Sequence, residues 1–312
     1  MKNIDKPIFI CGYPKSGTTL LTSLLDNHNE LLVIPEEIKF FNKVLRQNKD
    51  DRIEYLLNHS NLKLLKIGKF RSPSGDRDYS GFDYNIFLEH FFKYWNSSNK
   101  GSENILESVV NGLSVALNSN FFKAWVEKTP GTEFHLNTII NWWPNAKFVY
   151  LIRDPRQNYC SHFRYQKIKN KPLNITIKRF IKKWKNSVKA FEEFRNRTGK
   201  GFLIKYEDLV DNPKRIMENL ADYLQIEFRD SLIIPTRIGI QWEGNSSDGK
   251  SRNKIENNFY NYDKYLSNNE ISIIDLKLRN EIIRYRYALT KEYSLIQKAI
   301  ITTLFAMNRL QN

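Results

Sequence analysis

The sequence has little cysteine. Cys11 and Cys160 are the two cysteines among 312 residues, and each stands in a segment with the apolar character of buried structure. Such usage argues against a disulfide framework and against a metal cluster, so we expect a reducing compartment. The chain passes from Met1 directly to a strand-like run at Pro7, which leaves no room for a signal peptide. We therefore expect a cytoplasmic protein.

Membrane-length apolar runs, repeats and linkers are also missing. The apolar stretch Ile296–Leu310 is interrupted by polar residues and is shorter than the roughly 20 residues that a transmembrane helix needs. We expect it to form a terminal helix that packs on the body; docking on a membrane or on a second subunit is the alternative, and the oligomeric state stays open. Because no Pro-rich or Gly/Ser linker divides the chain, we expect a single domain over residues 1–312 with a helical extension over about 267–312.

Positive charge is abundant. Lys and Arg number 49 against 34 Asp and Glu, which gives a formal net charge of +15. A surface of this kind attracts phosphates, sulfates, nucleic acid or acidic glycans. The basic residues are scattered, as on an ordinary solvated surface, so charge alone does not name the partner.

Three apolar runs predict buried parallel strands. They are Pro7–Gly12, Lys147–Ile152 and Gly201–Lys205, and a helical pattern follows each of them. Helical spacing of apolar residues also predicts six helices: Glu36–Gln47, Tyr84–Trp95, Glu133–Trp142, Ile175–Arg197, Asn212–Leu224 and Ser267–Tyr287. This alternation predicts a three-layer α/β/α fold with a central, mostly parallel sheet, similar to that of P-loop NTPases. Ligands of such sheets bind beyond the carboxyl ends of the strands, where residues 13–19, Arg153 and Tyr206 fall.

The loop after the first strand suits a phosphate group. Gly12-Tyr-Pro-Lys-Ser-Gly17-Thr-Thr19 keeps the G-x-x-x-x-G spacing of a Walker A loop, whose backbone N–H groups hold phosphate oxygens. In place of the Walker lysine and its hydroxyl neighbour stand Thr18 and Thr19, and the lysine lies inside the loop as Lys15. A nucleotide kinase needs the Walker lysine and Mg²⁺ for a β/γ-phosphate pair. The substitution favours a cofactor with one phosphate beside its transferable group.

These residues resemble the 5′-phosphosulfate-binding loop of the PAPS-dependent sulfotransferase family, in its bacterial and tyrosylprotein-sulfotransferase-like branch. The resemblance implies that 3′-phosphoadenosine-5′-phosphosulfate (PAPS) is the sulfuryl donor and that no metal is required. It also implies that Lys15 meets the bridging oxygen, while Ser16, Gly17, Thr18 and Thr19 hold the 5′-phosphate.

Further segments extend the resemblance over roughly residues 7–225. Residues 148–161 resemble the family's 3′-phosphate motif, in which Arg153 and Ser161 would hold that phosphate; Arg156 is a further candidate, and an ion pair of Arg153 with Asp154 or Glu207 is the alternative. Residues 125–130, 143–147 and 205–209 resemble other family segments, and Tyr206 is expected to contact the cofactor. The polar loop 242–252 matches in part the segment that closes over the adenosine, so Lys250 and Arg252 are expected cofactor contacts.

Sulfuryl transfer is an in-line displacement, so we expect positioning and charge stabilisation to supply most of the catalysis. One general base is expected to accept the proton of the hydroxyl group. Glu36 follows Lys15 by 21 residues at a predicted helix start and resembles the catalytic glutamate of tyrosylprotein sulfotransferases. Glu37 is the near alternative. Lys128 resembles the family lysine beside the leaving oxygen. The histidines are further candidates for the base: His28, His135 and His162.

Two other classes of function compete with this interpretation. A P-loop small-molecule kinase would share the loop but would need a lysine directly after Gly17. A basic nucleic-acid-binding protein would fit the charge and the 13% aromatic content, yet it leaves Lys15 and Arg153 unexplained. We therefore expect an enzyme with a hydroxyl-bearing acceptor (carbohydrate, lipid, peptide tyrosine or small molecule) and no nucleic-acid partner. The acceptor pocket is expected within residues 39–120 and 167–176.

Overall fold

The centre of the protein is a parallel sheet, seen in a computed structural model that describes residues 3–70, 77–119, 121–168, 175–241 and 262–307. The strands of the described chain are β1 (Pro7–Cys11), β2 (Leu31–Val33), β3 (Lys69–Phe70), β4 (Arg77–Asp78), β5 (Ala124–Lys128), β6 (Lys147–Ile152), β7 (Phe202–Lys205), β8 (Thr236–Arg237) and β9 (Ile240–Gln241). Five of them form the sheet in the order β2-β5-β1-β6-β7, with every pairing parallel. The pairs β3-β4 and β8-β9 are short antiparallel hairpins at its margin.

Helices cover the sheet. They are α1 (Thr18–Leu25), α2 (Arg52–His59), α3 (Tyr84–Ser97), α4 (Ser102–Ala116), α5 (Leu136–Trp142), α6 (Pro155–Ile168), α7 (Ile177–Thr198), α8 (Tyr206–Asp211), α9 (Pro213–Leu224), α10 (Asn268–Lys277), α11 (Arg279–Arg284) and α12 (Leu295–Met307). None of the described helices is both long and apolar enough to cross a membrane.

The strands bury both of their faces. On β1, Phe9 and Cys11 belong to one buried cluster, whereas Ile8 and Ile10 belong to another. Successive side chains of a strand point to opposite faces, so the two clusters are the two sides of one sheet. Helices α4 and α7 cover the first cluster, and α1 and α9 cover the second. The predicted three-layer α/β/α fold is confirmed.

The predicted helix over Glu36–Gln47 is wrong. Only Val44–Arg46 forms a 3₁₀ turn there, and Lys39 has the left-handed φ of 53°. The backbone N–H of Lys39 donates to Thr129 Oγ1, and the side chain of Asn42 donates to the carbonyl of Pro130. Contacts with the segment after β5 therefore replace helical hydrogen bonds.

The C-terminal helices pack on the body of the molecule. The pattern predicted as one helix over Ser267–Tyr287 divides at Leu278 into α10 and α11, and α10 contacts α6, α7 and α12. Asp275 of α10 is fully buried and accepts hydrogen bonds from Arg156 Nη1 (3.0 Å), the Thr290 N–H (3.0 Å) and the Tyr293 hydroxyl (3.1 Å). This buried carboxylate joins the C-terminal segment to α6.

Candidate active site

The 12–19 loop leaves β1 through two glycines that tolerate no side chain. Gly12 has a φ of 148°, and a Cβ there would lie 2.6 Å from the carbonyl oxygen of Leu151. Gly17 has a φ of 96°, and its Cβ would lie 2.3 Å from the ring of Tyr206. Because α1 begins at Thr18, the first N–H groups of the helix face this loop. The backbone forms the kind of concave surface that binds an anion at a helix N-terminus.

Helix α6 holds the loop from the other side. Asn158 Nδ2 donates to Ser16 Oγ at 2.9 Å, and the ring of His162 donates from Nε2 to the carbonyl of Pro14 at 3.1 Å. The Lys15 ammonium lies 3.4 Å from the ring centroid of Tyr165. Asn158, Ser161 and Tyr165 share one helix face because they are spaced by three and four residues. That spacing is visible in the sequence and could have indicated Asn158 and Tyr165.

Arg153 and Ser161 lie on the same cavity as the loop. Arg153 follows β6, is 5% exposed and donates from Nη1 to the carbonyl of Lys15 at 3.2 Å. Its guanidinium lies 4.3 Å from the ring centroid of Tyr206. Ser161 is buried in the second turn of α6. The structure thus brings Lys15, Gly17, Thr18 and Thr19 of the loop together with Arg153, Ser161, Tyr206 and Lys128 around one cavity of about 590 Å³, a volume typical of ligand sites. Ser16 does not line this cavity, because its hydroxyl is buried against Asn158.

Arg156 does not contact this cavity. Its guanidinium donates to both oxygens of Asp154 (3.0 and 2.6 Å) and to Asp275 (3.0 Å). Arg156 was a further candidate for the 3′-phosphate, but its hydrogen bonds connect α6 to α10 instead. Lys250 and Arg252 lie outside the described residues.

Lys128 and Glu37 form an ion pair at the mouth of the loop. Lys128 ends β5, and its ammonium contacts Glu37 Oε1 directly and lies 3.1 Å from Thr19 Oγ1. Burial alone would raise the pKa of Glu37, but the charge and hydrogen bond of Lys128, with the charges of Lys39 and Lys15, lower it below its ordinary value. Glu37 is therefore ionised at neutral pH on the cavity wall.

Glu36 has a different environment from Glu37. Its Oε1 accepts hydrogen bonds from the Tyr79 hydroxyl (2.5 Å), Arg237 Nη1 (2.8 Å) and Arg77 Nε (3.0 Å). The residue is buried and does not begin a helix, contrary to the prediction. Its carboxylate joins β4 and β8 to the segment after β2. Arg77 and Arg237 had no local sequence signal, because both reach this position through tertiary contacts.

A second buried carboxylate, Glu127, helps to fix the segment after β2 through Thr129. Glu127 is fully buried on β5, and burial raises its pKa to about 7. Thr129 donates to Glu127 Oε1 at 2.5 Å and accepts the backbone N–H of Lys39 at 3.2 Å. The chain of contacts fixes the backbone that carries Glu37.

The three histidines that were candidates for the base, His28, His135 and His162, do not line the cavity. His28 is buried between the carbonyl of Glu227 (2.8 Å) and the N–H of Glu30 (3.2 Å), so it is a core residue rather than a surface one. His135 contacts Asn42 Oδ1 at 3.2 Å. Burial, together with the charge of Lys15, lowers the pKa of His162 to about 4. Within the described residues, no group of three or more His, Cys, Asp or Glu residues could hold a metal ion.

The model of the sulfotransferase family matches residues 7–230, a range that contains the 12–19 loop, Lys128 and Arg153. The chain belongs to the sulfotransferase family. Membership confirms the family predicted from the sequence motifs. It favours this class over both the kinase and the nucleic-acid-binding alternatives.

Relatives of this sulfotransferase agree with the assignment. The protein-tyrosine sulfotransferase of Drosophila melanogaster is 23% identical over 240 residues, which cover 72% of this chain and 39% of that protein. The chain thus spans about two fifths of the length of this relative.

Two solved structures share the fold. The sulfotransferase domain from the curacin biosynthetic pathway has a TM-score of 0.54 at 19% identity, covering 90% of this chain and 98% of that one. The sulfotransferase domain of the Synechococcus PCC 7002 olefin synthase has a TM-score of 0.57 at 18% identity, covering 93% and 97%.

Replacing Gly17 should damage the loop. Gly17→Ala places a methyl group on the ring of Tyr206, which stacks on Arg153, so we expect affinity for adenosine 3′,5′-bisphosphate to fall by about tenfold or more, equivalent to 1.4 kcal/mol. Gly199→Ala is the matched control, because Gly199 also has a positive φ (69°) but no atom within 4 Å of its added Cβ. Calorimetric titration measures both. Unchanged affinity in Gly17→Ala would contradict the proximity of the loop to the ligand.

Proposed function

We propose that this sulfotransferase transfers the sulfuryl group of PAPS to the hydroxyl of an acceptor. The observation that carries the proposal is the presence of two anion-binding groups of residues on one cavity. The 12–19 loop at the start of α1 is one, and Arg153 with Ser161 is the other. PAPS has a phosphosulfate and a separate 3′-phosphate, so its anions require two such positions.

The residues present fit this donor. Gly12 and Gly17 let the loop pack directly against Leu151 and Tyr206, because a Cβ at either position would collide with these residues. The side chains around the cavity provide cations (Lys15, Arg153 and Lys128) and hydroxyl groups (Thr18, Thr19 and Ser161). Bound PAPS would supply the sulfuryl group and a phosphate leaving group. The chain itself provides anion binding, orientation and a place for the proton.

We propose that Glu37, rather than Glu36, accepts the proton of the acceptor hydroxyl. Glu37 is ionised, lies on the cavity wall and contacts Lys128 beside Thr19 of the loop. The Glu36 carboxylate already accepts hydrogen bonds from two arginines and a tyrosine. Lys128 and Lys15 are close enough to Glu37 to lower its pKa, so their charges are placed to stabilise negative charge that develops nearby.

Three further assignments are proposals of the same kind. We propose that residues 1–312 act as a single domain, which the packing of α10 on α6 and α7 supports. We propose a cytoplasmic location, which the low cysteine content supports. We also propose that Lys250 and Arg252 contact PAPS, on the partial motif match alone.

Removing Arg153 tests the two-position arrangement. We expect wild type to bind adenosine 3′,5′-bisphosphate much more tightly than AMP without Mg²⁺. Arg153→Ala should weaken bisphosphate binding by about 1.5–3 kcal/mol, the range for a charge-assisted hydrogen bond, with little effect on AMP. Arg229→Ala is the control, since Arg229 forms an exposed ion pair with Glu227. Calorimetry gives each dissociation constant.

Equal affinity for AMP and the bisphosphate in wild type would overturn the two-position assignment. A strict requirement for Mg²⁺ would favour a kinase instead.

A further inference from the structure

The charges on the cavity wall do not all have a use in the proposed function. Its lining includes seven basic and three acidic residues: Lys15, Lys39, Lys43, Arg77, Lys128, Arg153 and Arg237, and Asp26, Glu36 and Glu37. Arg77 and Arg237 pair with Glu36, and Lys128 pairs with Glu37. Lys15 and Arg153 lie at the two proposed anion positions. Lys39 and Lys43 remain, and neither ammonium group has a carboxylate partner among the described residues.

The backbone directs both lysines toward the cavity. The segment between them buries Phe40 and Phe41, so the neighbouring lysines are left on the outer side, where both are exposed. The N–H of Lys43 donates to the carbonyl of Lys39 at 2.8 Å, which places the two residues one turn apart. We name this pair the lysine rim.

The position of Lys39 is held at an energetic cost. Its φ of 53° is uncommon for a residue with a Cβ. The hydrogen bond to Thr129, which is itself bonded to buried Glu127, maintains this conformation. Residues in such sparsely populated backbone regions cluster at functional sites, which directs attention to Lys39.

The strand order separates the lysine rim from the 3′-phosphate position. Arg153 and Tyr206 follow β6 and β7, which lie on one side of β1. The lysine rim follows β2 and is bonded to the segment after β5, and both strands lie on the other side of β1. Glu37 is near Lys39, whose charge contributes to the lowered pKa of Glu37. The lysines therefore border the space from which an acceptor reaches Glu37.

We infer that the acceptor is an anionic hydroxyl compound, whose carboxylate, sulfate or phosphate binds Lys39 and Lys43 while its hydroxyl meets Glu37. The inference rests on the proposed function. In the reaction a bond forms between the acceptor oxygen and sulfur, and the bond from sulfur to the phosphate oxygen of PAPS breaks. The hydroxyl proton passes to Glu37, and adenosine 3′,5′-bisphosphate leaves.

Matched pairs of acceptors test the inference. A phenol, a sugar and a long-chain alcohol are each offered as the carboxylate and as its neutral amide, with labelled PAPS. We expect at least one carboxylate to be sulfated with a kcat/KM about tenfold higher than that of its amide, as two partly exposed charge pairs would give. The preference should shrink as salt concentration rises, because exposed charges are screened.

Substitutions at the lysine rim provide the second arm. Lys39→Gln combined with Lys43→Gln should abolish the preference for the carboxylate, mainly through a higher KM. Lys182→Gln is the matched control, because Lys182 is exposed on α7 and does not line the cavity. Bisphosphate affinity, measured by calorimetry, shows whether each variant is folded and keeps its donor site.

The outcomes separate the inference from the proposed function. If the wild type does not bind adenosine 3′,5′-bisphosphate, the proposed function fails. If it binds the bisphosphate but sulfates amides as well as carboxylates, or sulfates no carboxylate, the inference is overturned. A preference that survives in the double variant also overturns it.

Discussion

Glu37→Gln is expected to lower sulfuryl transfer by about 10²–10⁴-fold, the usual cost of losing a general base. The amide keeps the size of the side chain but cannot accept a proton. Bisphosphate affinity should barely change, because Glu37 lies on the side of the loop away from Arg153. Single-turnover rates with labelled PAPS measure the first quantity and calorimetry the second. Glu193→Gln is the control, since this carboxylate is 66% exposed on α7.

The pH profile gives an independent test of the same residue. A base must be deprotonated to act, so activity is lost as pH falls through its pKa. Because Lys128 and the neighbouring lysines lower the pKa of Glu37, wild-type activity should persist down to the ordinary glutamate value of about 4.3 before it declines. Full activity in Glu37→Gln would remove the assignment. Loss of activity in a folded Glu36→Gln variant instead would move the role to Glu36.

Asp275→Ala is expected to lower the free energy of unfolding by about 3–5 kcal/mol, the cost of breaking a buried ion pair from one side. Asp275 is 0% exposed and Arg156 is 3% exposed, so the guanidinium would lose a partner that water cannot replace. The Thr290 N–H and the Tyr293 hydroxyl would lose an acceptor in the same change. Urea denaturation measures the effect.

Two comparisons sharpen this result. Asp50→Ala, at an exposed position, should change stability by at most about 0.5 kcal/mol. Arg156→Leu combined with Asp275→Leu should cost less than the sum of the single changes, because each single change already removes the hydrogen bond that the two residues share. A loss below about 1 kcal/mol in Asp275→Ala would mean that the buried network does little for the fold.

Apolar runs predicted three strands of the central sheet, β1, β6 and β7, but not β2 or β5. β1 and β6 are apolar runs, and both were predicted. β5 is equally buried, but it carries Glu127 and Lys128, so its composition does not have the usual signal of a central strand. These charged residues at the end of β5 hide the strand from pattern analysis.

The residues that the sequence analysis selected and that line the cavity share local motifs. Residues 15–19 lie between β1 and the first turn of α1. Arg153 lies just before α6, and Ser161 lies in the second turn of that helix. The choice between Glu36 and Glu37 was not predictable in this way. Glu36 and Glu37 are neighbours in an irregular segment, yet Glu37 forms an ion pair with Lys128 and Glu36 forms one with Arg237. That segment is shaped by Thr129, which is 90 positions from Lys39 in the sequence.

The order of the strands also has a consequence for how acceptor choice can diverge. The wall with Arg153 and Tyr206 follows β6 and β7, whereas the wall with Lys39 and Lys43 follows β2 and contacts the end of β5. The two walls follow different strands of the sheet, on opposite sides of β1. Changes in separate regions without common partners add in free energy. Under the proposed function, we therefore expect that evolution or design can change acceptor specificity on one wall while the proposed donor site on the other wall stays as it is.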